Sequence, residues 1–545
     1  MHRTRSCAPG TAFTVTLTIA LVSLAGCTSS SSGSTGSPAT LAPSTTSSSL
    51  TTSTTTTAAS TTTSTTTTAA STTTSTSTTS TSTTTTVLRR PVGPVADLSE
   101  ELTGGTAFIG SALPTALESA GYVQHEYVAA GTATSYRPEG SLSPDGHWTF
   151  TPDGSADYRT RVLIRRPEHA ADFSGTVVIE WLNVSGGIDA DPEFASLRED
   201  IVRNGDVWVG VSAQLLGVEG GPVLVSAGGA NGVAGKGLRA IDPARYGTLS
   251  HPGDGFSFDI FTQVARAVRA GGPAFGDLQP ASVIAAGESQ SAFALTTYID
   301  GVQPLTHAFD GFFIHSRAAV ALPLVQPGEF ADLAHALGTG TALLRDDTDV
   351  PIMELQAESD VTGLLASVAV RQPDTDHFRL WEVAGTAHAD AHLLGPVSTT
   401  MDCGVAINNG PMHVVAKAAY RALVTWIRGG TAPPSAPRLE LTDATPPALH
   451  RDADGIALGG VRTPPVDVPV DVLSGDAGPK RSLICLLLGS TTPLPQQRLA
   501  ELYPTAAAYT TTYAASVDAA IATGYVLPAE RDALAAFADP SRIVG

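Results

Sequence analysis

Residues 281–299 read Ala-Ser-Val-Ile-Ala-Ala-Gly-Glu-Ser-Gln-Ser-Ala-Phe-Ala-Leu-Thr-Thr-Tyr-Ile. Ala281 to Ala286 form the short apolar run that a strand buried on both faces requires. Ser289 to Ile299 is compatible with a helix. Between them lies Gly287-Glu288-Ser289-Gln290-Ser291. A sharp strand-to-helix turn can lift a serine out of a sheet when small residues flank it, because the backbone there is strained and closely packed. Gly287 and Ser291 are both small, although glycine is the usual residue at the last position. The plain alternative is that Ser289 is an ordinary helix N-cap.

A serine hydroxyl is a weak nucleophile, so it needs a base, and the base needs an orienting acid. Phe378 to Val383 reads as a later strand and is followed by Ala384-Gly385-Thr386-Ala387-His388. A histidine on a small-residue loop just past a strand is free to reach the turn. That placement singles out His388 among 13 histidines. His392 is the second choice, and His251 is a candidate to line the site. Ile352 to Ala357 is another strand and ends in Glu358-Ser359-Asp360. Asp360 is the favoured acid and Glu358 the alternative. The chain order Ser289, Asp360, His388 is that of the α/β-hydrolase fold, not that of chymotrypsin or subtilisin. Acyl transfer also needs two backbone N–H donors for the developing oxyanion. One is expected from Gln290. The other is expected from Asn183, in Leu182-Asn183-Val184-Ser185-Gly186-Gly187.

Strands and helices alternate around this unit. Tyr122 to Ala130, Tyr158 to Arg165, Thr176 to Leu182, Val207 to Ser212 and His307 to His315 read as further strands. Pro192 to Asn204, Phe258 to Ala270 and Met412 to Ile427 read as helices. The Gly-rich stretch 216–256 has no periodicity and reads as a long loop. The pattern predicts a mostly parallel, eight-stranded sheet with helices on both faces, over residues 91–430. Residues 431–545 read as an extension with helices around 495–535, packed on the catalytic domain.

The N-terminal part has a different character. Arg3 and Arg5 precede an apolar stretch from Ala12 to Ala25, too short for a comfortable membrane span. It ends Leu24-Ala25-Gly26-Cys27, which resembles a bacterial lipobox. Residues 1–27 are therefore expected to be a lipoprotein-type signal peptide with Cys27 lipidated. The Ser/Thr-rich segment 28–90 offers no apolar face and reads as a disordered linker. These features predict a protein outside the cell, anchored to the outer face of the membrane or secreted. With Cys7 removed and Cys27 lipidated, Cys403 and Cys485 remain in an oxidising compartment. A Cys403–Cys485 disulfide is expected, the alternative being two buried thiols.

The chain has 31 Lys and Arg against 51 Asp and Glu, a formal charge of -20. No basic cluster interrupts this, which argues against nucleic acid as a partner. There is no His-Glu-x-x-His and no paired Cys cluster, and Asp189-Ala190-Asp191 is too sparse for a calcium loop, so no metal or cofactor is expected.

Trp181 to Gly187, Gly287 to Ser291, Glu358-Ser359-Asp360-Val361-Thr362 and Gly385 to Ala389 together resemble a family of bacterial "alpha/beta hydrolase domain" proteins common in actinobacteria. The resemblance runs from about Gly121 to the C-terminus and includes Cys403 with Asn408-Asn409-Gly410-Pro411. It implies the α/β-hydrolase fold and a Ser289–Asp360–His388 site. The expectation is a monomeric serine hydrolase acting on a small-molecule or lipid-like carboxylic ester. A peptidase or amidase on the same fold and a non-catalytic surface binding module are the alternatives.

Overall fold

Near-continuous apolar runs fold into strands covered on both faces. The computed structural model describes residues 92–110, 117–226, 232–276, 278–338 and 340–544. The expected signal peptide with Cys27 and the expected linker 28–90 lie outside the described residues. The strands in chain order are β1 (Asp97–Glu101), β2 (Tyr122–Pro138), β3 (Phe150–Pro167), β4 (Thr176–Trp181), β5 (Val207–Val211), β6 (Ser282–Glu288), β7 (Gly311–His315), β8 (Ile352–Ala357) and β9 (Phe378–Val383). They form one sheet in the order β1-β2-β3-β5-β4-β6-β7-β8-β9. The first three strands pair antiparallel, as does β3 with β5. From β5 to β9 all pairs are parallel.

The sheet has nine strands rather than the eight expected. The unforeseen one is β1, whose sequence Asp-Leu-Ser-Glu-Glu buries Leu98 alone. It shows no apolar alternation to read, and its charges suit an edge strand that must not recruit another chain. The strand expected from His307 begins only at Gly311, because His307 takes a left-handed φ of 44° at the end of a helical turn. The stretch 216–256 is not wholly irregular, since it carries the short helices Gly237–Ile241 and Pro243–Tyr246.

Four helices cover the sheet: α1 (Pro192–Asn204), α2 (Ser257–Ala270), α3 (Gln290–Thr297) and α4 (Met412–Ile427). Alternation along the strands divides the core in two. Val177, Ile179 and Trp181 of β4 face α2 and α3, packing with Phe258, Phe261 and Leu295. Val178 and Leu182 face α1 and α4, packing with Phe194, Leu197 and Val415. Among the described residues no helix is long and apolar enough to cross a membrane.

The chain beyond residue 430 is woven into the rest rather than laid on it. Val461 bridges to Val383 at the end of β9, and the Leu439 N–H donates to the buried Glu382 carboxylate. A small two-stranded sheet, β10 (Asp471–Ser474) with β11 (Ser490–Pro493), leads to α5 (Gln496–Leu502) and α6 (Ala506–Ala522). Cys403 and Cys485 are joined as a disulfide, with 5.5 Å between their Cα atoms.

Two buried arginines of β3 brace the loop after β4. Arg161 donates to Asp189 at 2.8 Å, to Glu126 at 3.0 Å and to the Ser212 hydroxyl at 3.0 Å. Arg165 holds Asp191 at 2.5 Å and stacks on Phe194. Removing one member of such a group leaves buried charge without compensation. Arg161→Leu is therefore expected to lower the unfolding free energy by about 3–5 kcal/mol, measured by urea titration.

Candidate active site

The parallel strands deliver their C-terminal ends to one edge of the sheet, and β4 and β6 flank the point where connections depart to opposite sides. Ser289 follows β6 there with φ 59° and ψ −124°. The helix expected from Ser289 begins one residue later, at Gln290. The turn is closed by close packing: a Cβ on Gly287 would stand 2.9 Å from the Ser291 Cβ and 3.1 Å from Leu295. Glycine is therefore required at 287, whereas a small side chain fits at 291. The Ser289 N–H donates to the His315 carbonyl at 2.9 Å.

Three predicted residues come together at this turn. The Ser289 Oγ is 2.8 Å from Nε2 of His388. His388 Nδ1 is 2.8 Å from Oδ1 of Asp360. The carboxylate accepts the Nδ1 hydrogen, which leaves Nε2 to accept from the Ser289 hydroxyl. Oδ2 of Asp360 accepts from the Ala357 N–H and from the Ser316 hydroxyl, both at 2.7 Å. The His388 N–H donates to Ser359 Oγ at 2.7 Å, fixing the loop after β9. Burial alone would depress the basicity of His388. The charge and hydrogen bond of Asp360, with the charge of Glu288 added, outweigh burial and hold its pKa above the ordinary value.

Glu358, the alternative acid, faces elsewhere. Its carboxylate accepts from the Gly385 N–H at 2.7 Å, from Arg451 at 2.6 Å and from the Gly475 N–H at 2.9 Å. It joins the loop after β9 to the C-terminal segment. His392 is also away from the turn, with its ring stacked on His413 at 3.6 Å. His251 is engaged by the Ala213 carbonyl at 2.9 Å and does not line the cleft.

The two expected oxyanion donors fare differently. Gln290 is the first residue of α3, so its N–H has no intrahelical acceptor. The Asn183 N–H, by contrast, donates to the Ala190 carbonyl at 2.9 Å and is unavailable. A short antiparallel bridge between Asn183 and Ala190 closes the loop on itself and consumes this donor. The Asn183 side chain fastens the loop to the turn instead, with Nδ2 donating to the Glu288 carbonyl at 3.1 Å and Oδ1 accepting from Ser185.

Behind the turn lies a cluster that pattern reading did not anticipate. Glu288 pairs in register with His315 of β7, and His315 Nδ1 lies 3.4 Å from Glu193 of α1. All three are buried, and Glu288 Oε2, both Glu193 oxygens and both His315 nitrogens lack a hydrogen-bond partner among the described residues. Burial pushes the Glu288 carboxyl up to about 7, with His315 and His388 opposing the rise. Burial likewise raises Glu193 and lowers His315. Ser316 and Ser359 were also missed, because their contacts cross between strands and leave no local motif.

In front of Ser289 opens a cleft of about 440 Å³ lined mainly by aliphatic side chains. One group has metal-ligand spacing among the described residues: His147, Asp346 and Asp347. All three are exposed, Arg345 is paired with Asp347, and none borders the cleft.

A largely parallel sheet that presents a serine on a strand–turn–helix elbow, with a histidine and an aspartate from later loops, defines an α/β-hydrolase fold. The chain belongs to the alpha/beta hydrolase domain family, whose model matches residues 88–536. No curated protein matches its sequence. Solved structures similar to it include a fungal esterase from Rhizomucor miehei, at 12% identity over 54% of this chain and 85% of that one, with a TM-score of 0.27. Esterase Est22 is 14% identical over 57% of this chain and 82% of its own, with a TM-score of 0.31. A thermostable esterase from Pseudomonas putida is 12% identical over 54% and 81%, with a TM-score of 0.25.

The Glu288 carboxyl gives a signed expectation. A carboxyl held at about 7 in the folded chain, against 4.5 ordinarily, favours folding while protonated and loses that advantage as pH rises through 7. Glutamine mimics the protonated form at every pH. Glu288→Gln should therefore gain stability over the wild type as pH rises, by about 2–3 kcal/mol between pH 5 and pH 8. Urea unfolding of both proteins at the two pH values measures it.

Proposed function

We propose that the protein is a secreted or lipid-anchored serine hydrolase that cleaves a carboxylic ester through an acyl-enzyme. The observation that carries this reading is the continuous Ser289–His388–Asp360 chain, with links of 2.8 Å each, at the floor of an apolar cleft. Ser289 Oγ attacks the ester carbonyl while His388 Nε2 takes its proton. Asp360 holds the imidazole tautomer and stabilises the imidazolium. The alcohol leaves with the proton from His388. Water then attacks the acyl-enzyme, again giving its proton to His388, and the acid is released as Ser289 is restored.

The oxyanion falls to the Gln290 N–H at the positive end of α3. Gly186 is the second donor we favour in place of Asn183. It lines the cleft, and its N–H makes no hydrogen bond among the described residues. An ester is favoured over a peptide because a peptide backbone needs hydrogen-bond partners along its length, and this cleft is lined chiefly by side chains without them. An extracellular location is supported by the signal-peptide pattern ending at Cys27 and by the Cys403–Cys485 disulfide.

Ser289→Ala is expected to cut hydrolysis of p-nitrophenyl butyrate by about a thousandfold or more, and a fluorophosphonate probe should label the wild type but not the variant. Asp360→Asn should lose about a hundredfold or more. Full activity in Ser289→Ala would remove Ser289 from the mechanism.

A further inference from the structure

The cleft is divided in its chemistry. Its polar lining is limited to Ser289 with Asn183, Ser185, Asp191, Glu288, Gln290 and His388. The rest of the wall is apolar and mostly aliphatic, and no lysine or arginine borders it among the described residues. An anionic acyl group would find no counter-ion there, since the one carboxylate of the loop after β4 that borders the cleft, Asp191, already takes up Arg165. Sugar hydroxyls would lose water without gaining partners.

Part of this aliphatic wall comes from the C-terminal segment. Leu483, Ile484 and Leu487 line the cleft, as do Leu393 and Leu394. Neither stretch belongs to the sheet or to a long helix. Residues 483–487 form a turn without helix or strand. The Cys403–Cys485 disulfide lies within this turn, and Ile484 and Leu394 pack around it. Two further bonds dock it, from the Ala389 N–H to the Leu487 carbonyl at 3.1 Å and from the Asn408 N–H to the Leu488 carbonyl at 3.0 Å. One covalent link and two backbone hydrogen bonds therefore fix a wall that little regular structure supports.

We propose that residues 483–487, latched by Cys403–Cys485, form the wall of an acyl pocket that selects neutral esters with apolar chains, a proposal that rests on ester hydrolysis at Ser289. The latch keeps aliphatic side chains close enough to take an acyl chain out of water, so selectivity for longer chains depends on the disulfide.

The test uses the full chain and p-nitrophenyl acetate, butyrate, hexanoate and hemisuccinate. In the wild type, kcat/KM should rise about threefold for each methylene from acetate to hexanoate, near the worth of burying one methylene group. The hemisuccinate should react at least about a hundredfold more slowly than the butyrate, an expectation drawn from the lack of a counter-ion. Leu487→Ala should lower the hexanoate-to-acetate ratio about tenfold, as two to three methylene contacts are lost. Reduction of the folded protein, or Cys485→Ser, should lower the same ratio. Ile484→Ala keeps the disulfide and tests the wall if Cys485→Ser does not fold. Active wild type with a flat chain-length profile overturns the apolar-acyl assignment. A steep profile that Leu487→Ala, Ile484→Ala and reduction leave unchanged overturns the latched wall. Folded wild type that hydrolyses none of the esters overturns the reading of the site itself.

Discussion

Ser289 is held at φ 59°, a conformation that costs an ordinary L-residue of order 1–3 kcal/mol, and the rest of the site depends on the sheet keeping it there. β6 is fixed on both sides by parallel ladders, to β4 and to β7. The last rung pairs Glu288 with His315, and the next N–H, that of Ser289, still reaches the His315 carbonyl. The chain must then turn within one residue to start α3. Four non-glycine residues have positive φ among those described, and two of them, Ser289 and Ser316, lie on the path of hydrogen bonds through His388 and Asp360. Strain is thus concentrated where three strand ends converge, and the ladders on either side over-determine it.

Around that point, buried acidic and basic side chains with hydrogen-bond partners hold the loops. Loops carry backbone polar groups that cannot pack as strands do, so burying them calls for partners placed in advance. Arg161 and Arg165 clasp Asp189 and Asp191 at the far end of the loop after β4. Glu180 receives the first N–H groups of α1, from Glu193 and Phe194, at 3.0 Å each. Glu358 receives the Gly385 N–H and so fixes the start of the loop that ends in His388. Asp191 itself borders the cleft, and the others stand behind it. Their geometry therefore sets the position of the site largely from behind its wall.

The order of elements was readable because the strands are apolar on both faces, and a continuous run such as Thr176 to Trp181 suits a strand in the middle of a covered sheet. Ser289, Asp360 and His388 were readable for a related reason: each closely follows a strand, where a short-range signal marks the end of an apolar run. Between Asp360 and Glu358 the sequence offers only a positional preference for Asp360, since both lie in the same turn and partners distant in sequence, Arg451 and Gly475, reveal that Glu358 is engaged. Asn183 misled for a similar reason. Its N–H is taken by Ala190, a bridge formed by how the loop folds back and not by residue type. The edge strand β1 carries no apolar pattern. The Glu288–His315–Glu193 cluster joins three elements that are far apart in the chain.

Glu358 also explains why the C-terminal segment belongs to the same folded unit as the site. One carboxylate accepts from Gly385, from Arg451 and from Gly475, so a single buried charge is shared between the His388 loop and two points of the tail. Such a charge is tolerable only while its partners stay in place. Loss of the tail would strip Glu358 of Arg451, and repulsion would follow from Asp360 two residues away. That would disturb the very carboxylate that orients His388. The family match extends to residue 536, well beyond the last strand of the main sheet, as expected if the tail supplies the counter-charge that lets two acidic residues occupy one turn with separate tasks.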